Sequence, residues 1–129
     1  MQVKVHDTRY VRLELLESGI LVAAYKRYRI VDLDMAREIV KARFDFVGRD
    51  AFLPVMVLNL GVIYMEKDAR KYVSSGDGVA GIKAAAVLLD NNLATYYIMS
   101  LIRQVEQPPM PVRKFRKRDR ALEWLTTFL

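Results

Sequence analysis

Two apolar runs, Leu53-Pro-Val-Met-Val-Leu58 and Ile82-Lys-Ala-Ala-Ala-Val-Leu-Leu89, constrain this chain more than anything else in it. Each is far shorter than the roughly 20 residues needed to cross a bilayer as a helix. Each is nearly continuous rather than alternating, which is the pattern of a buried strand inside a helix-covered sheet. The stretch from Leu53 to Val73 extends the point: the strand gives way to a polar break at Asn59 and Gly61, then to helix-like spacing from Glu66. In a mixed α/β domain, the loop after a central strand's carboxyl end is where partners and ligands usually meet the protein.

The other segments fit around this unit. Thr8 to Tyr25 reads as a β-hairpin turning at Ser18-Gly19, and its second strand, Ile20-Leu-Val-Ala-Ala-Tyr25, is apolar enough for a central place. Asp32 is placed to cap a helix whose inner stripe is Leu33, Ala36, Ile39, Val40, Phe44 and Val47, ending at Gly48. Asp32 and Asp34 need no catalytic role, because a cap and a first-turn acid against the helix dipole account for both. Ser74-Ser-Gly-Asp-Gly78 is a turn cluster lacking the spacing and the Lys-Ser/Thr of a phosphate loop, so it reads as helix termination and a flexible link. The alanines of the run from Ile82 let a helix pack closely. Asp90-Asn-Asn92 offers three candidate caps for a long helix expected to run to about Glu106 on the stripe Leu93, Tyr97, Ile98, Leu101, Ile102 and Val105. Gln107-Pro-Pro-Met-Pro111 is an extended connector, Val112–Phe115 a short edge strand, and Asp119 the expected cap of a terminal helix.

The order is therefore β-β-α-β-α-β-α-β-α: a single α/β domain over residues 1–129, with one mixed sheet and helices packed on it. With 129 residues the chain can bury a core without disulfides or metal, and it has no cysteine. No basic region followed by an apolar core opens the sequence, so a soluble, cytoplasmic protein is expected. The net charge of +6 is local, since six basic residues against Asp119 leave +5 between Val112 and Arg120. That segment has Phe115 as its lone aromatic and matches no helix-turn-helix or zinc module, so no specific nucleic-acid partner is expected. His6 is the single histidine and has no cysteine to pair with, so neither a metal site nor a Ser/His nucleophile pair is expected.

This arrangement resembles the SpoIIAA-like, or STAS, fold of the bacterial anti-sigma-factor antagonists and their uncharacterised relatives. Its topology is also similar to the core of SEC14-type lipid-binding domains. In the antagonists a Gly-containing loop leads to Asp-Ser-Ser-Gly at the start of a helix, and a partner kinase phosphorylates the serine. Aligned on Gly61-Val62, the acidic residue falls on Glu66, the serines on Lys67 and Asp68, and the glycine on Ala69; the acid at the strand end becomes Asn59 or Leu58. The resemblance therefore implies the fold without the phospho-switch. Uncharacterised bacterial families of this fold share the Asp-capped first helix, a Lys-Asp/Glu-Ala-Arg-like second helix and the Pro-Pro-x-Pro connector.

The expected function is binding without catalysis or cofactor. Asn59, Gly61, Tyr64, Glu66, Lys67 and Asp68 form the expected partner rim of a regulatory or protein-interaction module. A small carrier of apolar, lipid-like ligands in the SEC14 manner is the alternative, and an enzyme of unknown reaction the third. Tyr96 and Met99 lie outside the core stripe of the long helix and are expected at a homodimer contact. A cavity with apolar walls would favour the carrier; a filled core with an exposed loop rim would favour the module.

Overall fold

The hairpin forms where Gly19 takes φ = 103°, a backbone conformation open to a residue without Cβ. The amide of Gly19 donates to the Leu16 carbonyl and that of Leu16 to the Ile20 carbonyl, each at 2.9 Å. Its strands β2 (Val11–Leu15) and β3 (Leu21–Tyr25) pair antiparallel, and β1 (Lys4–Asp7) joins the free side of β2. The structure, a computed structural model, describes residues 4–26, 30–58, 64–89, 101 and 107–129. β1 is absent from the expected order because three of its four residues face solvent, so it carries no apolar pattern.

The helix α1 (Leu33–Val47) starts and stops where its caps dictate. The Asp32 carboxylate accepts from the Met35 amide at 2.9 Å, and Gly48, at φ = 86°, donates to the Phe44 carbonyl. Strands β5 (Leu53–Leu58), β7 (Ile82–Leu88) and β8 (Val112–Phe115) then extend β3 in parallel. The six-stranded sheet runs β1-β2-β3-β5-β7-β8, with β8 at an edge as expected. A separate two-stranded parallel ribbon pairs β4 (Ile30–Val31) with β6 (Tyr64–Met65) and leads into α2 (Lys67–Ser74). The terminal helix α3 (Arg118–Thr126) begins one residue before Asp119; Lys117 holds the cap position, and Asp119 accepts from the Arg120 amide within the first turn. The helix expected between Asn92 and Glu106, with Tyr96 and Met99, lies outside the described residues except at Leu101.

The core is divided by the sheet. On one face Ile20, Val22, Met56, Ala84 and Ala86 meet Ala121 and Leu125 of α3, with Trp124 packed edge-on to Phe128 at its margin. The other face carries two clusters. Val11, Leu13, Leu21, Ala23 and Val55 pack with Ile39 and Ala42 of α1, while Met65, Ala69 and Val87 pack with Val31 and Ala36. The three alanines of β7 thus serve opposite faces: Ala84 and Ala86 admit α3, and Ala85 points to the α1 side.

The turn between α2 and β7 is tied down rather than loose. One 3₁₀ turn spans Gly76–Gly78, and an added Cβ at Gly78 would sit 1.8 Å from the Tyr72 carbonyl oxygen. Substitution of Gly78 by Ala is expected to destabilise the protein by about 2–3 kcal/mol, as backbone has to move to admit the methyl group. Urea unfolding of the variant against wild type measures it, and a change under about 0.5 kcal/mol would contradict this geometry.

Candidate functional site

The rim expected at the end of β5 is partly described. Asn59 and Gly61 lie outside the described residues; Tyr64, Glu66, Lys67 and Asp68 fall together at the carboxyl ends of the parallel strands. Tyr64 sits in register with Ile30 on the β4–β6 ribbon, and the two are 47% and 54% exposed. The next residue on each strand, Met65 and Val31, is buried, so the ribbon turns one face to the core and the other outward.

Glu66 occupies the cap position of α2 with extended backbone, and its amide donates to the Val31 carbonyl at 3.0 Å. Its side chain makes no capping bond and is exposed, as are Lys67 and Asp68 in the first turn. Ala69, by contrast, is fully buried. The Arg70 guanidinium donates back to the Met65 carbonyl at 2.8 Å, fixing the path into the helix. No serine, threonine, cysteine or histidine occurs from Tyr64 to Val73, and the described residues hold no metal-ligating cluster. His6 lies in β1 with its ring stacked on Phe46 at 5.7 Å.

A second feature lies beneath the sheet's α1 face. A cavity of about 120 Å³ separates the two hydrophobic clusters on that side. Two neighbouring register rows form its floor: Leu13, Ala23, Val57 and Val87 in one, Leu21, Val55, Ala85 and Val112 in the next. Ile39 and Val40 of α1, Val73 of α2 and Met65 line it from above. Polar groups enter its wall at Tyr25, Arg43 and Ser74.

Arg43 is the residue that the sequence pattern did not single out. It is 9% exposed, and its guanidinium donates to the backbone carbonyls of Gly78 at 3.1 Å, Asp77 at 2.8 Å and Ala80 at 2.9 Å. The expected stripe had Phe44 in the core; Phe44 is instead half-buried, with the Arg43 and Arg49 guanidiniums over its ring. A spacing signal existed, since Ala36, Val40, Arg43 and Val47 follow one another at helical intervals of four, three and four. Burial depresses the Arg43 pKa from its ordinary value, and burial raises that of the Tyr25 phenol. Ser74 is committed elsewhere, its hydroxyl donating to the Arg70 carbonyl at 2.6 Å.

Comparison with known proteins agrees with the architecture. The chain is similar to an uncharacterised protein of the DUF3478 family, with a SpoIIAA-like fold, from Shewanella loihica PV-4, at a TM-score of 0.53. The likeness spans 96% of this chain and 92% of that one at 10% sequence identity, so it speaks for the fold alone. The class is thus an α/β domain of SpoIIAA-like fold. Residues 15–129 match the family described as "Domain of unknown function (DUF7793)", and the chain belongs to it. No curated protein matches the sequence.

Replacing Arg43 with Met is expected to cost about 2–5 kcal/mol, because the turn's buried carbonyls lose their donor. Lys at this position should recover little, since one ammonium cannot reproduce the planar fork. Hydrogen exchange supplies the check: amides from Gly78 to Ile82 should lose protection before those of β3. Uniform loss across the sheet would refute a local clamp.

Proposed function

We propose that this domain is a non-catalytic, regulatory or protein-interaction module whose partner meets the rim of Asn59, Gly61, Tyr64, Glu66, Lys67 and Asp68. The observation that supports it most is the exposed Ile30–Tyr64 pair beside three solvent-facing charged residues, on a backbone pinned by buried Val31, Met65 and Ala69. An apolar centre with a charged border is the composition that protein interfaces favour. Serine phosphorylation in the aligned loop is not its regulation, because Lys67 and Asp68 stand at the serine positions.

The test is capture of interacting protein from the native host by immobilised domain. Wild type should retain a defined partner, and Tyr64→Glu with Lys67→Glu should lose it by about tenfold or more while the circular dichroism melt is unchanged. Equal capture by both, or a stoichiometric kinase-dependent phosphate between Asn59 and Val73, where Tyr64 and Tyr72 are the hydroxyl side chains, counts against the reading.

We also propose a homodimer using Tyr96 and Met99. Sedimentation equilibrium should give a dimer mass for wild type and a monomer mass for Tyr96→Glu with Met99→Lys, both folded. A monomeric wild type would end this idea. A carrier of apolar ligands is the second functional reading, favoured by the cavity, whose volume suits one ring or short branched chain rather than a lipid tail.

A further inference from the structure

We infer that the cavity on the α1 face binds a small monocarboxylate whose apolar body is a short branched chain, with the carboxylate turned toward Arg43 and Tyr25. The inference rests on the carrier reading of the cavity and is independent of the rim, which lies at the strand ends. Size comes first. Cavities of about 150 Å³ with aliphatic and aromatic walls accept benzene, so 120 Å³ suits a body of about five or six non-hydrogen atoms. The walls come second: Leu13, Leu21, Ile39, Val55, Val57 and Val87 offer branched aliphatic surface and no acceptor.

Charge decides the head group. Arg43 lies in the cavity wall, more than nine-tenths buried, and its described hydrogen bonds go to backbone carbonyls alone. Those bonds use Nη1 once and Nη2 twice, out of the five N–H groups a guanidinium carries, which leaves donors at Nε and Nη1. No described ion pair includes Arg43. The nearest acid along the turn, Asp77, directs its carboxylate to Arg49 at 3.5 Å. Arg43 thus has carbonyl partners, the Phe44 ring and the field of Asp77, but no described ion pair, and a carboxylate at its remaining donors would supply one. Tyr25 adds a phenol that no described hydrogen bond uses and that burial keeps neutral, hence a donor. Ser74 contributes no donor, because its hydroxyl is spent within α2.

Isothermal titration with 3-methylbutanoate, its neutral amide and benzene tests this on the whole chain. Wild type should bind the carboxylate saturably and about tenfold or more tighter than the amide, as a charge-assisted hydrogen bond requires. Ala85→Leu, which fills the cavity from its floor, should stay folded with an equal or higher melting temperature and lose that binding. Ala23→Val serves the same purpose from β3, on the far side of β5, should Ala85→Leu unfold. Equal affinity for carboxylate and amide overturns the head-group assignment while leaving an apolar site. Failure of all three probes overturns the carrier reading as well. Undiminished carboxylate binding in the filled variant places the site elsewhere and refutes the inference.

Discussion

One buried guanidinium holds two halves of this fold in register. Arg43 reaches from α1 to the carbonyls of Asp77, Gly78 and Ala80, which lie between α2 and β7. Just past that turn the Gly81 carbonyl accepts from the Leu53 amide at 2.9 Å, the first bond between the incoming strand and β5. A Cβ at Gly81 would stand 2.5 Å from the Ala51 carbonyl oxygen, so the two chain segments enter the sheet nearly in contact. Burying a charge is costly, and a lone hydrophobic residue at position 43 could not organise the turn's carbonyls. The arginine is retained where its fork replaces the water those carbonyls would otherwise need.

The two faces of the sheet meet different packing demands. Against α3, Ala84, Ala86 and Ala121 are all fully buried, and small residues on both sides let helix and strand approach closely. Against α1, small residues stand at Ala23 of β3 and Ala85 of β7, on either side of β5, while larger neighbours hold the helix off. Space remains between the clusters for that reason. The close-packed face and the hollow one are built from alternate residues of the same strands, as the period of two along a strand dictates.

That division explains what could be read from the sequence. Strands β3, β5 and β7 were legible because central strands carry unbroken apolar runs, and α1 because Asp32 and Gly48 mark its ends chemically. β1 was not, since Lys4-Val-His-Asp7 owes its pairing to β2 rather than to any pattern of its own. Nor were the two-residue strands β4 and β6, which are too short for periodicity to register. The exposure of Glu66, Lys67 and Asp68 at the start of α2 could be read from their place after β5, although none carries distinctive chemistry. The cavity was not, because it depends on which residues of β3, β5 and β7 stand opposite one another, and register is a tertiary property. Arg43 was hidden by a general expectation that arginines face water.

The helix α2 belongs to both candidate surfaces. Its first turn carries Glu66, Lys67 and Asp68 outward, whereas Val73 and Ser74 near its end line the cavity. It is anchored at both ends: the Glu66 amide is bonded to the Val31 carbonyl, and the turn following Ser74 is gripped by Arg43. A surface on so constrained an element loses little conformational freedom when a partner settles on it. Binding free energy then goes less into ordering the rim and more into affinity. The same anchoring fixes part of the cavity's wall, so a ligand of the proposed kind would meet a formed site instead of having to open one. Preorganisation here comes from a backbone pinned at each end of one short helix, and it costs the fold a buried charge and an unfilled space.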